Sequence, residues 1–352
     1  MDPSRAQAFM HKVVGDLGTA LAVALVHVGD RVGLFVAMAD AGALTADALA
    51  ERTGIHPRYV EEWLSAMVCS GYVEHDAEAL TYTLPDEHAM FFAAPTSEYY
   101  LGGMFKGGPG IMATASQLAT AFETGQGVSF QAFGDWVPLA TEAMHRNLYE
   151  ARLTKTWLPA MPEVVQRLQN GGRSMDIGCG TGVVPVLIAK AFPQARVEGL
   201  DFDARSIEIA RDNARRAGVD ERVRFHARSA TDWAERGTVD FVSTFDCIHD
   251  MPDPLGVMTR IRESLSPGGT YLMVEPKMSE RLADNVSHPF SRLLYGLSCM
   301  HCVPQSIAQG GPGLGACWGE GRARVMAREA GFSQFRALPI KSPSQAFYEL
   351  RA

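Results

Sequence analysis

Long hydrophobic runs are missing from this 352-residue chain. The longest near the start, Thr19 to Val28, is interrupted by His27 and bounded by Asp16 and Asp30, far short of the ~20 apolar residues that a membrane-spanning helix needs. A basic opening segment with a small-residue cleavage site is absent as well, so the expectation is a cytoplasmic protein with no membrane partner. Cysteine is sparse: six residues, at 69, 179, 247, 299, 302 and 317, are scattered through the chain. That spacing predicts reduced thiols and argues against a disulfide scaffold. Basic charge is scarce where it would matter for DNA. Between Ala20 and Pro95, eleven Asp and Glu face only Arg31, Arg52 and Arg58, so the formal charge of the whole chain, −8, falls on this stretch. Phosphates would be repelled, and no nucleic-acid partner is expected.

What is present supports a sizeable core, with 47% of residues apolar, and the length predicts two domains. Residues 1–95 read as helices with one small hairpin. Leu21 to Met38 is apolar and helical, Thr45 caps a short helix, and His56-Pro57 opens another over Arg58 to Ser70. Gly71-Tyr72-Val73-Glu74 and Leu80 to Leu84 alternate like the two strands of a wing. The pattern is that of a winged helix. Its presumed recognition helix carries Glu61, Glu62 and Trp63, so the module is read as packing two copies into a homodimer rather than as binding DNA. Residues 96–170 read as a helical linker, broken by glycines at 102–103, 107–110 and 125–127, that roofs a ligand pocket.

From residue 171 to 352 strand and helix alternate, with strands near 173–177, 196–200, 222–227, 239–244, 270–274, 335–340 and 345–350. That order predicts an α/β fold, a largely parallel sheet with helices on both faces, whose ligands sit at the carboxyl ends of the strands. One such end is the run Met175-Asp176-Ile177-Gly178-Cys179-Gly180-Thr181-Gly182, which turns through three glycines into a helix from Val183. Backbone N–H groups there can approach a ligand closely. The strand that follows ends at Asp201, a carboxylate placed to accept from a ribose diol. The glycine spacing departs from G-x-G-x-x-G, and Asp176 precedes the first glycine by two; the order fits adenosine joined to an amino acid better than a dinucleotide.

These residues resemble the first motif of class I S-adenosylmethionine-dependent methyltransferases, in which the acidic residue and glycine backbone hold the methionine moiety. The resemblance extends to the winged-helix small-molecule O-methyltransferases over nearly the whole chain, through D-x-G-C-G-T-G, C-I-H-D-M-x-D-P, V-E-P and a late glycine-rich stretch. It implies a Rossmann-like seven-stranded sheet, S-adenosyl-L-methionine as cofactor, and a cofactor site formed by Asp176, Gly178, Cys179, Gly180, Asp201, Phe202, Ser229, Ala230 and Phe245. Phe202 offers a face to adenine. Ser229 and Ala230 stand where the family usually has an Asp for the adenine amino group, which weakens that contact unless Asp232 serves.

In the segment Thr244 to Asp253, His249 matches the family's general base and Met251 replaces the usual Trp. A neutral imidazole can take a phenol or enol proton while the acceptor oxygen attacks a sulfonium methyl. Glu275 is the second catalytic candidate, either orienting the base or acceptor or serving as a surface or capping carboxylate. The acceptor is expected to be a small, largely apolar molecule. His249, Asp250 and His301 also resemble the metal site of α-keto-acid C-methyltransferases, and Cys299-Met300-His301-Cys302 admits a zinc reading or simple packing. A ligand-sensing regulator without catalysis is a third reading. Residues 277–320 are expected to form a lid lined by Phe290, Tyr295, Met300 and Trp318, with the glycines at 310–315 either part of it or a flexible connector.

Overall fold

The structure, a computed structural model, describes residues 1–134 and 136–352. It divides into two compact units: Met1–Met112 with Ala143–Leu148, and Ala113–Glu142 with Tyr149–Ala352.

The first unit opens with a helix over Pro3–Arg31, started by the Asp2 carboxylate accepting from the Ser4 and Arg5 N–H groups and by proline at its first position. It is far longer than the apolar stretch visible in sequence. By length and composition it could cross a membrane, which corrects the expectation that no segment reaches that length. Its apolar side chains Met10, Val14, Leu17, Leu21 and Val28 follow helical spacing and are exposed. The helical reading of Leu21 to Met38 is broken by Gly33 at φ 77, after which a short helix covers Leu34–Met38. Helices Ala46–Thr53, capped by Thr45, and Pro57–Cys69, capped by His56, precede strands β1 (Glu74–Asp76) and β2 (Thr81–Thr83). These pair antiparallel, Glu74 opposite Thr83, and complete the winged helix. Trp63 is buried in the core with Val26, Phe35, Leu64 and Met67, and its indole N–H donates to the Leu25 carbonyl at 2.9 Å. Gly29 is required there, since a Cβ would lie 2.4 Å from the Trp63 ring.

The second unit is built on a seven-stranded sheet. Its strands are β3 (Arg173–Ile177), β4 (Arg196–Asp201), β5 (Val223–Ala227), β6 (Val239–Phe245), β7 (Leu265–Pro276), β8 (Gln334–Ala337) and β9 (Gln345–Arg351). They lie in the order β5-β4-β3-β6-β7-β9-β8. β3 to β7 are parallel, and β9 inserts antiparallel between β7 and β8. The order reverses direction at β3, whose neighbours are β4 on one side and β6 on the other. The crevice outside the carboxyl ends of β3 and β6 is therefore the expected ligand position. The sheet core gathers Met175, Ile177, Leu200, Val242, Tyr271 and Leu350. The stretch 277–320, expected as a lid, carries helices Leu282–Asn285, Ser291–Leu297 and Val303–Ala308 around a π turn at Ser298–Cys302.

Candidate active site

The turn after β3 is shaped by three glycines in the left-handed region: Gly178 (φ 72), Gly180 (φ 49) and Gly182 (φ 78). At Gly178 a Cβ would lie 2.7 Å from Cys247 Sγ, and at Gly182 one would lie 2.7 Å from the Phe225 ring. Gly180 has no atom within 4 Å of its Cβ position, so that side of the turn is open to a ligand. The Asp201 carboxylate links the two strand ends by accepting from the Gly180 N–H at 2.8 Å and the Asp203 N–H at 2.9 Å. Asp176 is buried, and the Ser243 hydroxyl donates to it at 2.6 Å. Burial, against the Ser243 hydrogen bond and with the Asp201 charge adding, pushes the Asp176 carboxyl up to about 7. Burial likewise raises Asp201 to about 6, against the backbone hydrogen bonds it accepts. Cys179 is buried with its thiol raised by that burial, so it packs the turn as an uncharged group.

The remaining cofactor candidates occupy the neighbouring strand ends. Phe202 is exposed, with its ring edge-on to Phe130 at 5.3 Å. Ser229 caps a single turn over Ala230–Asp232, its hydroxyl 2.7 Å from that of Thr231. Phe245 packs in an aromatic cluster, 5.2 Å from Tyr149 and 6.2 Å from Trp157. Asp246, which the sequence reading passed over, holds the left-handed conformation at φ 50. Gln345 donates to its carboxylate at 2.7 Å. Burial and the charge of Glu275 push Asp246 up to about 7.

His249 and Glu275 meet at the ends of β6 and β7. His249 Nδ1 stands 2.5 Å from Glu275 Oε2, with both side chains buried. A carboxylate only accepts, so Nδ1 carries the proton and donates. Glu275 is held by two further donors: the Ile248 N–H to Oε1 and the Trp318 indole N–H to Oε2, each at 3.0 Å. Glu275 is thus buried and directed at the imidazole, and Trp318, expected at a lid surface, is a core residue that fixes it. Burial alone would lower the His249 pKa; Asp250 and Glu275 outweigh it and hold the ring well above its ordinary value. Its other nitrogen, Nε2, faces Asp250 Oδ1 at 3.3 Å.

Cys302 completes this corner. The ligand-type atoms of His249, Asp250 and Cys302 lie within 4.8 Å of one another. His301, which the sequence pairs with them, instead sets its ring against Phe133 at 4.8 Å, and its buried Nε2 has no hydrogen-bond partner among the described residues. Burial lowers the His301 pKa, while burial and Asp250 push the Cys302 thiol up to about 12. The segment carrying Cys302 is pinned by the Ser306 hydroxyl, which donates to the Met251 carbonyl at 3.2 Å. The glycines that follow are packed: a Cβ on Gly311 would lie 2.7 Å from Pro252 Cα, and one on Gly315 would lie 2.4 Å from Ser298 Oγ. Two surface depressions, of about 530 and 490 Å³, lie away from these residues, beside Arg167 and Asp240 and beside Arg211 and Phe225.

Comparison with known proteins agrees with this geometry. Residues 168–331 match the family model of a methyltransferase domain, and residues 19–94 match that of an Rv2258c-like winged HTH domain. Residues 19–94 are thus similar to a winged-helix domain and residues 168–331 to a methyltransferase domain. Among curated relatives, the 27-O-demethylrifamycin SV methyltransferase of Amycolatopsis mediterranei is 30% identical over 43% of this chain and 57% of its own length. The trans-aconitate 2-methyltransferase of Methylobacterium radiotolerans is 28% identical over 40% and 48%. The chain therefore spans about half the length of these relatives. The mitomycin 7-O-methyltransferase MmcR has a TM-score of 0.67 at 20% identity, covering 99% of this chain and 100% of that one. NcsB1, an O-methyltransferase solved with S-adenosyl-L-homocysteine and 1,4-dihydroxy-2-naphthoic acid, has a TM-score of 0.57 at 18% identity, covering 97% and 98%. At such identities the likeness establishes the fold. The cofactor of the class is S-adenosylmethionine, and the turn fits it: the open face at Gly180 lies beside the buried Asp176 carboxylate and the half-buried Asp201 carboxylate, suited to a cation and a ribose diol.

Proposed function

We propose that this protein transfers the methyl of S-adenosylmethionine to a hydroxyl oxygen of a small, largely apolar acceptor, with His249 as the general base. The observation that carries this reading is the buried His249–Glu275 pair at the carboxyl ends of β6 and β7, 2.5 Å apart. Bound S-adenosylmethionine supplies an electrophilic methyl on a positively charged sulfur that leaves as a thioether. The residues of the chain do the rest. Asp201 grips the ribose and Asp176, Gly178, Cys179 and Gly180 the methionine end, while Phe202, Ser229, Ala230 and Phe245 border the base and the reacting centre. Glu275 fixes the ring with Nδ1–H inward; because Asp250 and Glu275 hold the ring well above its ordinary pKa, Nε2 first gives up its proton, and the neutral ring then accepts the acceptor proton as the oxygen forms its new bond to carbon. The buried carboxylate then stabilises the imidazolium, as in a catalytic triad. Proximity and alignment supply most of the remaining acceleration.

The exposed apolar stripe of helix Pro3–Arg31 supports a homodimer formed through the N-terminal module, residues 1–95. Of the helical stretch 96–170, the residues in the second unit, 113–142 and 149–170, then roof the pocket, and the protein works in the cytoplasm without membrane or nucleic acid. Metal-dependent C-methylation of an α-keto acid through His249, Asp250 and His301 has less behind it, because Cys302 rather than His301 supplies the third converging atom. A regulator without catalysis has less still, since the helix that would read DNA carries Glu61 and Glu62 and buries Trp63. Incubation with methyl-labelled S-adenosylmethionine and a panel of small phenols tests the acceptor class. The expected product is a methyl ether; label appearing on carbon of a keto acid and on no phenol would contradict the proposal.

A further inference from the structure

On the side of His249 that Glu275 leaves free, three side chains of ligand type converge from two separate elements. His249 and Asp250 belong to the single turn Ile248–Asp250 after β6. Cys302 ends the π turn Ser298–Cys302, a helix irregularity often found where function requires it. The imidazole nitrogen, carboxylate oxygen and thiol sulfur lie within 4.8 Å of one another, with His249 and Cys302 buried. Ligand atoms around a tetrahedral zinc ion stand roughly 3.5 Å apart, given bonds of about 2.0–2.3 Å. The spread of up to 4.8 Å is wider than this, so binding would draw the three side chains together.

Two further features suit a cation better than bare packing. Metal-binding histidines usually donate their second nitrogen to a carboxylate, which fixes the ring and raises its basicity. His249 does this to Glu275 at 2.5 Å, and Glu275 is itself held by Ile248 and Trp318. Asp250 Oδ1 is buried and makes no hydrogen bond among the described residues; it is held only by the charge of His249, whose Nε2 stands 3.3 Å away. A buried carboxylate oxygen without a hydrogen bond is costly, and a bound cation would hold it more closely than the imidazole does.

We propose that His249 Nε2, the Asp250 carboxylate and Cys302 Sγ bind one divalent cation of the borderline-soft class that includes zinc, leaving a fourth position open toward the acceptor. Nitrogen, oxygen and sulfur together select zinc, cobalt or iron over magnesium or calcium, which prefer oxygen alone. Three protein ligands with one open position is the pattern of exchangeable sites rather than closed structural ones. Occupation engages the Nε2 lone pair, so the cation acts as an inhibitor that competes with the acceptor proton. That consequence rests on the proposed role of His249; the binding itself does not.

The test uses full-length protein stripped with a chelator and titrated with Zn²⁺ by calorimetry and with Co²⁺ by absorbance, where a thiolate-to-cobalt charge-transfer band reports a sulfur ligand directly. One ion per chain is expected. The band disappears in Cys302→Ser, and affinity falls more than about tenfold in Cys302→Ser and in Asp250→Asn, with thermal unfolding showing that each variant is folded. Cys299→Ser, which removes an exposed thiol three residues away, keeps the band. Absence of stoichiometric binding, a band that survives Cys302→Ser, or one that is lost in Cys299→Ser overturns the site. Turnover of the loaded protein is read separately. Inhibition reversed by chelator supports both proposals, whereas faster turnover with zinc leaves the site standing and removes His249 as the proton acceptor.

Discussion

At the scale of single residues, the account turns on how few groups surround the reacting centre and how firmly each is held. Trp318 makes this measurable. Its indole donates to Glu275 from a position 1% exposed, and a hydrogen bond to a charged group contributes about 1.5–3 kcal/mol. Trp318→Phe should therefore lower unfolding stability by that amount in denaturant titration; a loss under about 0.5 kcal/mol would show that Glu275 does not need the donor. Asp176 and Asp201 titrate at about 7 and about 6 in the folded chain, above the ~3.9 of an exposed aspartate. The folded chain keeps protons that the unfolded chain has shed, so this contribution to stability is complete below about pH 4 and is lost as pH rises through the folded values. A cationic ligand prefers the ionised carboxylates. Affinity for S-adenosylmethionine should rise at least about tenfold between about pH 5.5 and 8, with protons released on binding; calorimetry showing flat or falling affinity would contradict it. The placement of Asp176, Asp201 and Glu275 at strand ends and of His249 in the turn after β6 could be read from sequence because each stands beside a recognisable motif. Cys302 was visible only as part of the run Cys299 to Cys302; its place beside His249 was not, since adjacent residues on a helical turn point in different directions, and the π turn brings residue 302 rather than 301 to His249.

Among elements, the glycine turn was the most legible, for its three glycines and the helix from Val183 can be read directly. Their separate tasks could not be. Gly182 combines φ 78 with a ring 2.7 Å from its Cβ position, whereas Gly180 has a similar handedness and open space. Ala at Gly180 costs about the 1–2 kcal/mol of a left-handed residue. Ala at Gly182 adds the clash and should destabilise by more than that in thermal unfolding; equal losses at the two positions would refute the packing argument. The helices within 277–320 were not read from sequence, because they are short and carry Gly296 and Pro304, which mask periodicity. β7 proved longer than expected because Leu265 pairs with Val239 across a register shift before the regular ladder begins at Thr270, and the glycines at 268 and 269 hide that extension in sequence.

For the whole molecule, the strand alternation foretold the parallel sheet and the hairpin foretold the wing, but the first helix outran its apolar signal because polar residues share its turns. The exposed stripe on that helix carries the expectation of a dimer. Leu17→Glu with Leu21→Glu, at two exposed positions, should convert a dimer to monomers in sedimentation while cofactor binding persists; a wild-type protein that is monomeric at micromolar concentration would contradict the dimer. The central claim, that His249 takes the acceptor proton, is tested most directly by single-turnover methyl transfer with a responsive phenol, comparing wild type with His249→Ala at matched cofactor occupancy. The account predicts a rate lower by about 100-fold or more. A rate within about tenfold of wild type, with cofactor binding unchanged, would contradict it.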